Sequence, residues 1–557
     1  MFEGQPKGLY SLALANTGER FGYYTMLAIF TLYLQAKFGF SEQTTGVFYS
    51  TFLMLAYLTP LFGGMLADKL GYGKMVKTGI FVMFFGYVLM AIPFAPNMTG
   101  VIAMSLALFL IACGTGLFKG NLQVLVGNLY EEAKFSARRD GGFSIFYMAI
   151  NVGALFAPTA ATKITNWIMG NDGFTYDATI PQLAHQYLNG AAQMTPDAMS
   201  QLTTAMASQH AAAADPSLIA DFCHKYLDSL SLSYNLGFSV ACFSLVLSFL
   251  IYYFFRNTYK HADYNSKTAA AAGIHEEELT KEDTRQRVIA LFLVFAVVIF
   301  FWMSFHQNGL TLTFFARDYT AQSVTGATRF GFDVTNLVAA ILMIYGLFGI
   351  FQNKSKNGKI VAAALIILPL VYIIFNMNAT AATVSILPQI FQQFNPSFVV
   401  ALTPVSLGIF AFLAKKGKEP TAPRKIAYGM LVAAAAYCIM TVVSTGLPSP
   451  DAVKAGQDFT RVSPNWLVST YLVLTFGELL LSPMGISFVS KVAPPKLKGT
   501  MMGMWFVATA VGNEMVQVTG WLWGSLPLWC VWIVLIAVCF ISFLVMMALM
   551  KRLEKVC

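Results

Sequence analysis

Long apolar stretches recur along the whole chain, and they leave few folds open. A run of about 20 apolar residues crosses the roughly 30 Å hydrocarbon core of a bilayer as a helix, which satisfies its own backbone in lipid. Such runs fall near 9–36, 44–67, 75–94, 101–128, 141–166, 234–255, 288–316, 335–351, 360–377, 384–414, 425–446, 465–490, 500–524 and 528–550. About 14 transmembrane helices are therefore predicted, giving an all-α polytopic membrane protein. With 57% hydrophobic and 11% charged residues among 557, a string of soluble domains is excluded.

The first stretch follows a short lead, Met1 to Gly8, and carries Glu19 and Arg20 without a small-residue cleavage pattern, so it is expected to remain in the membrane. The seven cysteines, Cys113, Cys223, Cys242, Cys438, Cys530, Cys539 and Cys557, show no metal-ligand spacing. Only Cys223 is expected in an outside loop, so no disulfide, metal site or cofactor is anticipated. The net charge of +9 does not point to nucleic acid, because the basic residues sit in alternate loops. Lys69, Lys74 and Lys77 mark one such loop, Lys134, Arg138 and Arg139 the next, and Lys415, Lys416 and Lys418 a later one. The positive-inside rule then places both termini in the cytoplasm.

Six spans precede a charged segment, 256–287, whose Glu276-Glu277-Glu278 run reads as a solvated linker. The expected domains are an N-terminal six-helix bundle at 1–255, the linker at 256–287, a C-terminal bundle at 288–550 and a cytoplasmic tail at 551–557. Two bundles about a linker suggest the major facilitator fold. Eight spans after the linker are two too many. The surplus is assigned to a lipid-facing hairpin at 335–377, which has no ionisable side chain in its spans and Lys354, Lys356 and Lys359 in its connection. Residues 167–232 interrupt an outside connection, where Thr195-Pro196-Asp197 and Asp215-Pro216 signal helix starts and Leu218, Phe222, Tyr226 and Leu230 recur at helical spacing. A small external helical cap is expected there, either a decorated loop or a surface for substrate access or an external partner.

Charges at membrane depth cost several kcal/mol on most scales and usually mark a pathway for substrate or ions. Glu19 and Tyr23 lie four residues apart, as do Arg20 and Tyr24, so a polar stripe faces one way on the first span. Lys119, Glu478 and His306 add further ionisable groups inside predicted spans.

Several segments together resemble the proton-dependent oligopeptide transporters, a branch of the major facilitator superfamily. Pro6-Lys7-Gly8-Leu9 with Glu19-Arg20-Phe21 and Tyr23-Tyr24 is similar to the family's first-span signature. Gly63-Gly64-Met65-Leu66-Ala67-Asp68-Lys69 is similar to the superfamily's loop after span two, and Gly114 to Lys119 to the fourth-span lysine motif. The closest likeness is Phe143-Ser144-Ile145-Phe146-Tyr147-Met148-Ala149-Ile150-Asn151-Val152-Gly153 on span five. Asn395-Pro396, Gly477 to Pro483 and Gly503-Met504-Trp505-Phe506 resemble motifs of the second half.

The resemblance implies a symporter that imports di- and tripeptides with protons across a bacterial inner (plasma) membrane. It implies a basic pole, Arg20 and Lys119, for the peptide carboxylate, and an acidic pole, Glu478, for the amino end. Asn151 and Asn395 match asparagines that fix the peptide, and Tyr23, Tyr24, Tyr57, Phe295, Trp302 and Trp505 match pocket-lining positions. Asp68 is expected to gate.

Proton coupling is assigned to Glu19 with Lys119, and to His306. A protonated Glu19 would free its partner cation for the substrate. Three positions depart from the family pattern: Asn16 stands where a glutamate is common, Leu27 where an arginine is, and His306 replaces an acid of span seven. The leftover positive charge would be balanced by Glu514 if that acid faces inward. His306 is expected to titrate as the second proton site, its alternative being a hydrogen-bonded histidine that fixes Trp302 one turn away. The competing functions are a related transporter of a small anion, such as nitrate, or of a carboxylated solute other than a peptide, and a membrane-embedded sensor or enzyme. No catalytic constellation appears at membrane depth.

Overall fold

The protein is described here from a computed structural model. It covers residues 4–40, 42–175, 180–190, 194, 196–209, 216–265, 279–309, 311–321, 323–386, 388–449, 459–523 and 526–556. The Glu276-Glu277-Glu278 run, Thr195, Asp215 and Cys557 lie outside the described residues.

The apolar runs fold as long helices: α1 (Lys7–Phe38), α2 (Glu42–Leu70), α3 (Tyr72–Ala91), α4 (Met98–Asn128), α5 (Arg139–Asn171) and α6 (Pro216–Phe254) in the N-terminal part. The C-terminal part holds α7 (Lys281–Phe305), α8 (Val334–Gln352), α9 (Lys356–Ala379), α10 (Phe394–Lys415), α11 (Ala422–Ser444), α12 (Pro464–Val492), α13 (Lys498–Met515) and α14 (Leu528–Lys555). Among the described residues, twelve helices are long and apolar enough to cross a membrane. The two that fall short are α1 and α13, of 32 and 18 residues. Both carry acids, Glu19 buried in α1 and Glu514 exposed on α13. Helices alternate in direction, so the two chain ends share one side, called here the termini face.

Packing departs from the sequence order within each part: α1 lies along α5 and α6, α3 along α4, and α11 along both α12 and α14. The two parts meet chiefly where α2 meets α13 and where α5 meets α10 and α12. Small residues permit the closest approaches, as expected where lipid supplies no hydrophobic drive between helices. A Cβ on Gly63 of α2 would stand 2.2 Å from the carbonyl oxygen of Gly116 on α4. Gly39 ends α1 at φ 64°, a left-handed cap that its N–H seals on Gln35 O.

The extra hairpin, α8 and α9, is peripheral, with Phe351, Leu368 and Phe375 among its exposed side chains. Its base is a two-stranded antiparallel ribbon, Ser323–Thr325 with Thr383–Ser385, which the helical reading did not foresee. Arg329 clamps the far end of α9 by donating to Thr380 O and Met377 O, both at 3.1 Å. Tyr345 of α8 donates to Val400 O of α10 at 3.1 Å, fixing the hairpin to the second part.

Four expectations are corrected. The external segment holds two short helices, Ile180–Gly190 and Pro196–Ser208, while the helix expected from Pro216 is the start of α6, 39 residues long, rather than part of a separate cap. Cys223 is therefore buried on that helix rather than in a loop. The span at 288–316 breaks after Phe305, where His306 opens a 3-10 turn, His306–Gly309, before a short helix, Thr311–Asp318. The predicted tail continues α14 as far as Lys555. In each case apolar periodicity continued past, or stopped short of, the point where backbone geometry changes.

Candidate functional site

The first pole grows out of α1. Glu19 and Arg20 are adjacent and both almost fully buried, at 1% and 3% exposure. Arg20 Nε and Nη2 donate to Glu19 Oε2 and Oε1, each at 2.5 Å, a bidentate fork that holds both charges in place of water. The guanidinium also lies 4.5 Å over the Tyr23 ring, and Tyr23 meets Tyr24 edge to face at 5.4 Å. Lys119 approaches from α4 and differs: among the described residues it makes no ion pair. Its ammonium rests 4.2 Å from the centroid of Tyr57 and 4.5 Å from that of Phe506, one ring from each part of the molecule. Cation–π contacts of this kind hold a charge without neutralising it.

The second pole lies on α12. Glu478, 3% exposed, receives Asn395 Nδ2 on Oε2 at 2.7 Å and the Tyr147 hydroxyl on Oε1. Asn395 stands in the first turn of α10 and also donates to Thr475 Oγ1 at 3.1 Å. Asn151 follows Tyr147 by one turn of α5 and donates to Tyr147 O at 3.1 Å. Tyr147 stands on α5, which lies along α1, and its hydroxyl reaches Glu478 on α12, so α5 connects the helices that carry the two poles.

Phe295 and Trp505 meet edge to face at 6.2 Å, with Trp505 pressed against Gly485. Trp302 stacks on His306 at 5.2 Å and 20°. Among the described residues, Trp302 Nε1 and His306 Nδ1 are buried without a hydrogen-bond partner. The Trp302 backbone and the stacked ring both hold His306 against Trp302, in keeping with the sequence alternative of a histidine that fixes that tryptophan. Glu514 is exposed near the end of α13. Among the described residues, no group of three His, Cys, Asp or Glu side chains is placed to hold a metal ion.

The sequence model of the POT family matches residues 74–272 and 368–522. This chain belongs to the POT family. It is 26% identical over 558 aligned positions to a peptide transporter of Yersinia enterocolitica, covering 93% of this chain and 88% of that one. It is 27% identical to a di-/tripeptide transporter of Lactococcus lactis, covering 93% and 90%. A crystal structure of a POT family transporter with a thioalcohol-conjugated peptide shares its fold at a TM-score of 0.59 and 19% identity, covering 99% and 98%.

In this POT-family chain a latch of polar contacts ties the two parts together at the termini face. Asp68, at the end of α2, accepts from the backbone N–H groups of Gly499 and Thr500 at 2.8 and 2.9 Å and from the Thr500 hydroxyl at 2.7 Å. Its charge sits at the N-terminus of α13, where the helix dipole favours an anion. Lys425, 1% exposed, bridges Asp140 at 3.2 Å and Glu419 at 2.7 Å. Lys498 reaches Glu131 at 3.1 Å. Burial alone would raise the Glu131 carboxyl, but Lys498 and Arg139 outweigh it and hold it below its ordinary value. This tie is present above the ordinary carboxylate range and is lost as pH falls through the lowered value.

The sequence reading missed Tyr147, Phe506, Asp140 and Lys425 as partners. Tyr147 and Phe506 stood inside the quoted motifs, so the signal was present. Asp140 and Lys425 are 285 residues apart, and no local pattern joins them.

The latch yields a test. A Cβ on Gly64 would lie 2.0 Å from Gly499 O, backbone that cannot give way. Gly64→Leu is expected to wedge this face open, shifting the equilibrium by about tenfold or more. Thiol labelling of Ser490→Cys, in a background without other cysteines, should accelerate by that factor. Unchanged labelling would show that the α2–α13 contact does not set closure.

Proposed function

We propose that this protein is a proton-coupled symporter that imports di- and tripeptides by alternating access. A peptide carries an ammonium at one end and a carboxylate at the other, whatever its side chains. The observation that carries the reading is the pair of poles of opposite sign: Glu478 on α12, and Arg20 with Lys119 on α1 and α4. Glu478 is the seat for the ammonium, replacing the Asn395 and Tyr147 donors. Lys119 is the seat for the carboxylate, joined by Arg20 when Glu19 takes a proton and releases it. Tyr23, Tyr24, Tyr57, Phe295, Trp302 and Trp505 line the space between, with Asn151 and Asn395 as amide contacts. Relatives named for peptide, or for dipeptide and tripeptide, transport support the substrate class.

The Lys- and Arg-rich loops at the termini face support a cytoplasmic position for that face, with the protein in a bacterial inner membrane. The latch then describes a state closed toward the cytoplasm. The working units are bundles at 1–255 and 288–550, linked through 256–287. The external segment at 167–232 belongs to the first of them.

Uptake of a labelled dialanine into proteoliposomes, with and without an inward pH gradient, tests the reading. Accumulation is expected only with the gradient, and excess nitrate should not displace the dipeptide. Displacement by nitrate, without displacement by other dipeptides, would favour the small-anion function instead.

His306 is the proposed second proton site, since its unpartnered Nδ1 leaves room for a proton. His306→Gln is expected to cut gradient-driven accumulation at least about tenfold while leaving dipeptide exchange in the absence of a gradient intact. Full accumulation in the variant would remove His306 from the coupling path.

A further inference from the structure

Away from the region between the two parts, the termini face carries a second concave feature. A pocket of about 260 Å³ lies where α3 meets the turns that follow α6. Three cations line it: Lys77 from α3, and Arg256 and Lys260 from those turns. Its floor is made by Tyr252 and Tyr259, both buried, with the Tyr259 hydroxyl donating to Tyr252 O. The floor is tied to α3 by Gly73, whose N–H donates to Asp263 Oδ1 at 2.8 Å. A Cβ on Gly73 would stand 2.1 Å from Asp263 Oδ2, so the glycine is what lets the two segments meet.

The charge balance of this pocket is lopsided. Asp263 is its single acid, and one of its oxygens is already engaged by Gly73. Among the described residues none of Lys77, Arg256 and Lys260 forms an ion pair. The cations converge on a concavity rather than spreading over a convex surface. Arg256 is held 5.4 Å over the Tyr253 ring, which orders its guanidinium and leaves its N–H fork available.

The depth of the pocket indicates what an anion there would be attached to. Tyr253, Phe254 and Phe255 are 47%, 70% and 54% exposed at the point where α6 ends. Aromatic side chains bared at the end of a span lie at headgroup level, where apolar rings meet water. Basic pockets between helices at that level suit phosphorylated headgroups.

We propose that this pocket binds a phosphate group, that of an anionic phospholipid headgroup, with Arg256 as the forked donor and Lys77 and Lys260 as flanking charges. Free phosphate offers the same chemistry without the acyl chains. The proposal stands apart from the transport site, so either can fail alone.

Native mass spectrometry of the full-length protein, titrated with phosphatidylglycerol, phosphatidylcholine and inorganic phosphate, tests it. Phosphatidylglycerol is expected to be retained in preference to phosphatidylcholine. The variant Lys77→Gln/Arg256→Gln/Lys260→Gln should bind it at least about tenfold more weakly. A control, Lys415→Gln/Lys416→Gln/Lys418→Gln, removes the same charge from the same face and should bind as the parent does. Phosphatidylglycerol retained despite millimolar phosphate supports the headgroup, whereas displacement by phosphate supports the same pocket serving free phosphate. Equal retention of both lipids, unchanged binding in the pocket variant or equal loss in the control would each overturn the proposal. Dipeptide uptake by the pocket variant in phosphatidylcholine vesicles should match the parent, which shows that it folds.

Discussion

Glu478→Gln is expected to raise the half-saturating concentration for dialanine uptake by about 100-fold. The variant keeps the shape of the side chain and one acceptor oxygen, so the Tyr147 hydroxyl retains a partner. What disappears is the negative charge that meets the ammonium in a buried setting, where truncating a hydrogen-bonded charge pair costs about 2–5 kcal/mol. A second substrate separates that loss from general damage. N-acetylated dialanine has no ammonium, so parent and variant should take it up equally poorly. If the variant loses the same factor on both substrates, Glu478 holds the helices together rather than the peptide.

Lys119→Met should do the same to the other end of the peptide, and should leave the fold no less stable. Arg20 is already neutralised by its fork with Glu19, at 2.5 Å on both arms, whereas Lys119 rests between two aromatic faces. A charge kept from water without a counter-ion is costly, and an apolar side chain of similar length removes that cost. Uptake of dialanine is expected to fall about 100-fold while Tm is unchanged or higher. Dialanine amide, which lacks the carboxylate, should show little difference between parent and variant. A lower Tm together with lost uptake of both substrates would mark Lys119 as a structural cation.

These expectations rest on pairings of which the sequence disclosed one side at a time. Arg20, Lys119 and Glu478 were visible because an ion in an apolar run is conspicuous, and the motif likeness assigned them to opposite ends of a peptide. That Glu478 would be met by Tyr147, 331 residues away, could not be read, since nothing local couples α5 to α12. The helical spans were legible through length and apolarity, α1 and α13 included, although their polar faces keep them below a strict membrane criterion. Helix ends were less legible. The break at His306 was signalled by the polar run His306-Gln307-Asn308-Gly309, which flanking apolar residues masked in a span-length reading, whereas no glycine or proline falls between Ser231 and Leu236, where α6 joins its external extension. The hairpin's lysines announced its turn, but not the ribbon at its base.

The length of α6 has a mechanical consequence. At about 1.5 Å per residue its 39 residues span roughly 58 Å, nearly twice the hydrocarbon thickness, so about 28 Å extends beyond the hydrocarbon core as a stiff mast. The helix Ile180–Gly190 is lashed to this mast and, through His185 Nε2 and Ala36 O at 2.8 Å, to the tip of α1. A tilt of the N-terminal bundle by about 10° would swing the masthead sideways by about 5 Å. The far side of the protein thereby carries a pointer that magnifies small rotations deep in the bilayer.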